Sequence, residues 1–223
     1  MTSFAIKIVA CITMLLDHIK YAIPITDNFV TQYLGRIAFP LFAFLISEGY
    51  KHTKDLEKYY KRLIMFGLIS QIPFMLFRTL VGEWELLNIM FALVLGLLCI
   101  DIFEKEKRKW ISIPSVLVIV VLSEILKIDY GWFGVLTVFI IHVLKNKKIM
   151  LVFTYPIVTF LYYYSLIGNY IFSWEMMLYV IGTISSMIFI LMYNGKEGKK
   201  AKYFFYWFYP VHVLIIYLLS FIF

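Results

Sequence analysis

Long apolar segments separated by short polar loops recur along the whole chain and dominate its folding choices. A helix needs about 20 mostly apolar residues to cross about 30 Å of hydrocarbon. Segments of this kind lie at 4–24, 32–49, 62–81, 86–103, 111–127, 131–145, 149–167, 175–193 and 203–222. We therefore predict an all-α, polytopic membrane helical bundle with about nine transmembrane helices, forming a single domain over residues 1–223.

The composition excludes an ordinary water-soluble protein. Hydrophobic residues make up 62% of the chain and charged residues only 16%, whereas soluble domains carry about 25% charged residues. Segments 111–127 and 131–145 are short and nearly adjacent, so they form either a tight hairpin or a re-entrant pair. No cleavable signal peptide is expected, because the first apolar run lacks a charged start and a small-residue cleavage site.

The distribution of basic residues predicts the orientation. Every second loop is rich in lysine and arginine, and cytoplasmic loops of membrane proteins carry such an excess. The loop residues are Lys51, Lys54, Lys58, Lys61, Arg62, Lys105, Lys107, Arg108, Lys109, Lys145, Lys147, Lys148, Lys196, Lys199, Lys200 and Lys202. We expect a cytoplasmic N-terminus and an external C-terminus. The net charge of +7 then reflects topology and contact with anionic lipid headgroups rather than nucleic acid binding.

Ionisable residues inside the apolar segments indicate function. Asp17 and His18 lie in the first segment, where a charged residue at mid-membrane costs about 2.5–3.5 kcal/mol on insertion scales. Given the predicted orientation, both belong to the outer half of the membrane, at about the depth of Arg36. Further polar residues at this depth are Gln71, Asn88 and Asp129 with Tyr130, and we expect them to join one outer-half cluster with His18.

Each of these residues also has a structural interpretation. Asp17 and His18 could be a hydrogen-bonded pair between helices, and Arg36 could extend to the membrane interface. The stretch from Asp129 to Gly131 could be an ordinary turn. His212 follows a proline that interrupts its helix, so it remains either a site residue or a packing residue.

One face of the first segment connects its start to His18. Lys7 precedes His18 by 11 residues, three helical turns or about 16 Å, and Cys11 and Met14 lie between them. A thioester on a pantetheine arm could lie along this face, with its phosphates held by basic loops. Cys11 and Cys99 occupy separate segments without metal-ligand spacing, so neither a disulfide nor a zinc site is expected.

Several motifs resemble the TraX family over nearly the whole chain. They are Lys7 through Asp17-His18, Gly35-Arg36-Ile37-Ala38-Phe39-Pro40, Glu48-Gly49-Tyr50, Ser70-Gln71-Ile72-Pro73-Phe74, Asn88 with Phe91, Asp129-Tyr130-Gly131 and Tyr209-Pro210-Val211-His212. The family's namesake acetylates the amino terminus of conjugative pilin. The family is similar to membrane acyltransferases of the acyltransferase-3 group, in which a basic residue precedes an essential histidine by the spacing of Lys7 and His18.

The resemblance implies a bacterial plasma-membrane acetyltransferase that uses acetyl-CoA and no metal. His18 would be the catalytic base, supported by Asp17 and Arg36. Lys7, Cys11 and Met14 would contact the donor. The acceptor would be a peptide amino terminus, a lipid or a glycan, and its predicted contacts are Gln71, Asn88, Asp129, Tyr130 and His212. An imidazole suits this role because its pKa lies near neutral pH, and a nearby carboxylate would orient it.

Two other functional classes remain open. A proton-coupled transporter or flippase would use Asp17, His18 and Asp129 as a proton relay, although the halves show no inverted repeat. A non-catalytic scaffold for pilus or secretion assembly would leave the buried charges without a purpose.

Overall fold

The computed structural model describes residues 1–167 and 173–222, and their regular structure is helical. The α-helices are α1 (Ser3–Ile19), α2 (Phe29–Gly35), α3 (Ala38–His52), α4 (Leu56–Arg78), α5 (Ile89–Lys105), α6 (Lys109–Ile125), α7 (Gly131–Leu144), α8 (Lys148–Ile167), α9 (Trp174–Leu191) and α10 (Lys202–Leu219). Short 3₁₀ turns occupy Pro24–Thr26 and Thr79–Val81. The predicted all-helical fold is confirmed.

Every predicted apolar segment coincides with helical structure, and the second is divided into α2 and α3 at Arg36. Within the described residues, four helical segments are long and apolar enough to cross a membrane by length and composition, namely Phe29–His52, Leu56–Val81, Lys148–Leu166 and Trp174–Leu191. Two apolar helices are shorter, Gly131–Leu144 and Tyr203–Leu219. The count of nine crossings and the cytoplasmic N-terminus stay predictions.

The N-terminus and every second connection between the long helices lie at one end of the bundle, which we call the basic end. It contains residues 1–2, 51–56, 105–109, 145–148 and 192–202. The backbone N–H of Ser3 donates to the carbonyl of Lys196, and Lys145 binds Glu48 at 2.9 Å. The basic loops predicted to share one side of the membrane therefore lie together in space.

The opposite end is closed by short turns. The chain segments at Leu87 and Ile128 pair through backbone hydrogen bonds between the loops before α5 and α7. Helices α6 and α7 form a hairpin whose turn includes two non-glycine residues with positive φ, Lys127 (50°) and Tyr130 (64°). Glu124 closes this hairpin by accepting the backbone N–H of Trp132 at 2.6 Å.

Helix α3 lies at the centre of the bundle and packs against α1, α5, α7 and α9. Its buried side chains run from Ala38 to Glu48. By contrast, α6 and α8 present apolar side chains outward, with Val118 67% exposed and Phe153 68% exposed. Exposed apolar faces of this extent are unfavourable in water and favourable in hydrocarbon. The fold thus places its apolar surface where lipid would be.

Candidate functional site

A cavity of about 1000 Å³ runs through the interior from the basic end towards the opposite end. At the basic end its lining includes Ser3, Lys7, His52, Arg62, Glu197 and Lys200. At the other end its lining includes Asp17, His18, Arg36, Arg78, Asp129 and Tyr130. The cavity therefore brings together most of the residues that the sequence singled out, from the basic loops to the histidine of α1.

Asp17 binds two cations at the end of the cavity opposite the basic end. Arg36 donates a hydrogen bond to Asp17 Oδ1, and Lys20 Nζ lies 3.2 Å from the same oxygen. The three side chains are only 6–14% exposed, so their charges depend on one another rather than on water. The predicted proximity of Asp17 and Arg36 is present in the structure.

Gly35 permits this arrangement. A Cβ atom at Gly35 would lie 2.5 Å from Asp17 Oδ1, closer than non-bonded atoms approach. The absence of a side chain lets the end of α2 rest directly on α1. Arg36, the next residue, then reaches Asp17 from the junction between α2 and α3.

Tyrosine rings surround the guanidinium of Arg36. Its central carbon lies 5.0 Å from the ring centre of Tyr179, and the Tyr130 hydroxyl lies 3.5 Å from Nη1. Tyr163 lines the cavity beside them. Tyr163 and Tyr179 were not predicted as site residues from the sequence, although phenol hydroxyls inside apolar helices were a signal for them. Among the described residues, Arg36 Nε has no hydrogen-bond partner.

His18 contacts another histidine instead of the predicted carboxylate. Its Nδ1 lies 2.8 Å from His212 Nε2, and the two rings are nearly coplanar, with an interplanar angle of 7°. His212 Nδ1 lies 2.7 Å from the carbonyl oxygen of Phe208. Asp17 was expected to orient the imidazole, but its close contacts are the cations Arg36 and Lys20.

His212 was predicted to contact the acceptor, and the structure places it elsewhere. It is 5% exposed and lines an apolar groove of about 310 Å³ between α1 and α10. Its nitrogens face His18 and the backbone of its own helix. This position suits a residue that acts on His18 better than one that binds an acceptor in the large cavity.

Gln71 and Asn88 form a separate structural unit. The Asn88 side chain caps α5 and donates to the Gly67 carbonyl and to Gln71 Oε1, both at 2.8 Å. Both amide hydrogens of Asn88 are therefore occupied, and Gln71 donates to the carbonyl of Leu86. Neither side chain is part of the cavity lining. The predicted cluster with His18 does not include them, because they join α4 to the start of α5.

The predicted donor face of α1 is only partly exposed to the cavity. Lys7, Met14 and His18 line it, whereas Cys11 is 4% exposed and packs in the interior. Cys11 and Cys99 are both buried free thiols. Across residues 1–167 and 173–222, no group of three or more His, Cys, Asp and Glu side chains has metal-binding geometry, and a metal-free reaction stays a prediction.

Comparison with known proteins identifies the family of this chain. The TraX protein family matches residues 3–220. A relative from Dichelobacter nodosus, named probable fimbrial assembly protein FimC, serogroup H1, is 27% identical over 240 residues, which cover 96% of this chain and 94% of the relative. No solved structure matches. Because the family match extends over almost all of the helices described above, this chain belongs to the TraX family.

Proposed function

We propose that this protein is a membrane-embedded acetyltransferase. It moves an acetyl group from cytoplasmic acetyl-CoA to an amine or hydroxyl of a membrane or extracytoplasmic acceptor. In this proposal all nine apolar segments cross the membrane, with the N-terminus and the basic end in the cytoplasm. The same proposal includes a relation between the TraX family and the membrane acyltransferases of the acyltransferase-3 group.

The cavity is the observation that carries this proposal. Its lining extends from Lys7, Arg62 and Lys200 at the basic end to His18 near the opposite end. The anionic phosphates of acetyl-CoA suit the lysine and arginine side chains. The extended pantetheine arm suits the part of the cavity beside Met14, which leads to the imidazole of His18.

His18 acts as the general base. It takes the proton of the acceptor's amine or hydroxyl as that group attacks the thioester carbonyl. The guanidinium of Arg36 lies in the same cavity lining as His18. A preorganised donor of this kind stabilises the oxyanion that forms on the carbonyl oxygen.

The fimbrial assembly name of the relative supports a small pilin-like membrane protein as the acceptor, acetylated at its amino terminus. The same name favours a second candidate, a scaffold that assists assembly without chemistry. A scaffold gives no reason for Asp17, His18 and Arg36 to line an internal cavity, so we prefer the enzyme.

Labelled acetyl-CoA tests the proposal. Membranes containing the protein are incubated with [¹⁴C]acetyl-CoA, and labelled components are separated and identified by mass spectrometry. We expect incorporation that depends on the protein and falls about 10²–10⁴-fold in His18→Ala, the range of a general base. His142→Ala is the matched control, because His142 lies at the basic end and contacts Ser47 and Glu104.

Equal incorporation with and without the protein would favour the scaffold. Equal incorporation by wild type and His18→Ala would leave an acetyltransferase without its assigned base.

A further inference from the structure

A chain of hydrogen bonds ends on the imidazole that the proposed reaction needs, at the ring nitrogen opposite the one that takes the proton. It begins at the carbonyl oxygen of Phe208, continues through His212 and reaches His18 Nδ1, with spacings of 2.7 and 2.8 Å. The ring centres lie 5.0 Å apart and the ring planes differ by only 7°, so an N–H on one ring can point at the lone pair of the other. We propose that His212 is a positioning residue that fixes the protonation pattern of His18.

The carbonyl of Phe208 determines which atom donates in each of these two hydrogen bonds. A carbonyl oxygen only accepts, so the hydrogen between it and His212 belongs to His212 Nδ1. In a neutral imidazole the other nitrogen is an acceptor. His212 Nε2 therefore accepts, and His18 Nδ1 donates. This leaves the lone pair on His18 Nε2 free to take a proton.

His212 is neutral in the resting state because its surroundings are apolar. The groove beside it is lined by Leu15, Ile19, Val211, Ile215 and other apolar residues. A cationic imidazole there would be a buried charge with no carboxylate partner in the part of the chain that the structure describes, which is costly. The nearest acid on α1, Asp17, is already engaged by Arg36 and Lys20.

Aromatic packing holds the pair in position. The ring centre of Phe77 lies 5.0 Å from that of His18. The Phe208 ring stacks on His212 at 4.8 Å with an interplanar angle of 15°. Rotation of either imidazole would break these contacts, so the tautomer and the orientation are fixed together.

The inference rests on the proposed function and adds a proton path to it. The acceptor X–H attacks the thioester carbon, the new C–X bond forms, and the C–S bond breaks to release the thiolate. The proton of X–H moves to His18 Nε2. The resulting imidazolium still donates its Nδ1–H to His212, whose Nε2 lone pair stabilises the positive charge on His18. The Nε2 proton of His18 then passes to the thiolate.

Nitrogen-15 NMR reads the tautomers without any need for activity. The protein is labelled with ¹⁵N-histidine in lipid bilayers, in a His52→Gln/His142→Gln background that retains only His18 and His212. We expect both histidines to be neutral and protonated at Nδ1. Asp17→Asn should leave this pattern unchanged. A proton on His18 Nε2, or a doubly protonated His212, would overturn the inference.

Two substitutions separate positioning from packing. In His212→Gln the side-chain oxygen still accepts from His18 Nδ1, whereas His212→Leu fills the space without an acceptor. We expect kcat to fall about 10²-fold in His212→Leu, within the range of misdirected general bases. His212→Gln should retain at least a tenth of wild-type kcat, and the KM for acetyl-CoA should stay within twofold in both.

Equal kcat losses in the two variants, with both proteins monodisperse and folded, would reduce His212 to a packing residue. Absence of acetyl transfer by the wild type, together with the predicted tautomers, would reject the proposed function and leave the histidine pair intact. The two failures are therefore distinguishable.

Discussion

Arg36 donates a hydrogen bond to Asp17 across the interface between α1 and the junction of α2 with α3. Both residues line the cavity beside His18, and Lys20 completes the cluster from the end of α1. A buried ion pair of this kind contributes little net stability by itself, but removal of one partner leaves an uncompensated buried charge. Loss of Asp17, which binds both cations, is therefore expected to cost more stability than loss of Lys20.

Asp17→Asn is expected to destabilise the fold more than Lys20→Met does. The first change leaves two buried cations without a counter-charge and should cost about 3 kcal/mol. The second leaves Asp17 paired with Arg36 and replaces Lys20 with an apolar chain of similar length. Thermal unfolding in detergent, followed by circular dichroism, gives both values.

Equal losses in the two variants would show that Asp17 is not the centre of the cluster. Asp17→Asn should also lower acetyl transfer without eliminating it, because Asp17 acts on Arg36 rather than on the proton.

Gly182→Ala is expected to destabilise the packing of α9 against α2. A Cβ at this position would overlap the backbone oxygen of Tyr33. A backbone atom cannot move aside as a side chain does, so the helices must separate, at a cost of about 1–3 kcal/mol.

Gly67→Ala on α4 is the matched control for this packing prediction. Its nearest neighbour, Met90 Cβ, would lie at an ordinary 3.4 Å from the new atom, and alanine favours a helix over glycine. We expect unchanged or raised thermal stability for Gly67→Ala. A comparable loss in both variants would mean that helix contacts around Gly182 are looser than the structure indicates.

The sequence predicted the helices well because membrane helices satisfy their own backbone and need only an apolar run of sufficient length. It also indicated Asp17, His18 and Arg36, since each is ionisable in an apolar segment. It did not indicate the pairing of His18 with His212, which are separated by most of the chain. That contact depends on how α10 packs beside α1, and no local pattern encodes it.

The surroundings of Cys11 and Asn88 could not be predicted from the sequence for a related reason. Helical spacing shows that Cys11 shares a face with Lys7, but it does not show whether a neighbouring helix covers that face. Asn88 is an N-cap residue whose amide also spans to α4. Its predicted contact with the acceptor could be judged only once the Gly67 and Gln71 contacts were visible.

Reporter fusions test the predicted nine-span orientation. Alkaline phosphatase is active outside the cytoplasm and green fluorescent protein folds inside it, so paired fusions report the side of each loop. We expect cytoplasmic signals after Lys54, Lys107, Lys147 and Lys199, and an external signal at the C-terminus. An external signal after Lys199, or a cytoplasmic one at the C-terminus, would contradict the positive-inside assignment.

Acetyl-CoA is predicted to reach His18 from the basic end of the cavity. Arg62 lines the basic end of the cavity, and its neighbour Lys61 is exposed and paired with Glu57. If acetyl-CoA enters here, Arg62→Gln and Lys7→Gln should each raise the KM for acetyl-CoA about 10-fold with little change in kcat, because they act on donor binding. Lys61→Gln on the same helix should leave KM within twofold.

Bulk inside the passage should act more strongly than lost charge. Met14 lines the cavity between Lys7 and His18, so Met14→Trp is expected to weaken acetyl-CoA binding, measured by calorimetry in detergent. Leu15→Trp is the matched control, because Leu15 is 37% exposed and lines the apolar groove between α1 and α10 rather than the cavity. Equal donor affinity in wild type, Met14→Trp and Arg62→Gln would place the entrance of acetyl-CoA elsewhere and leave the face of α1 as helix packing.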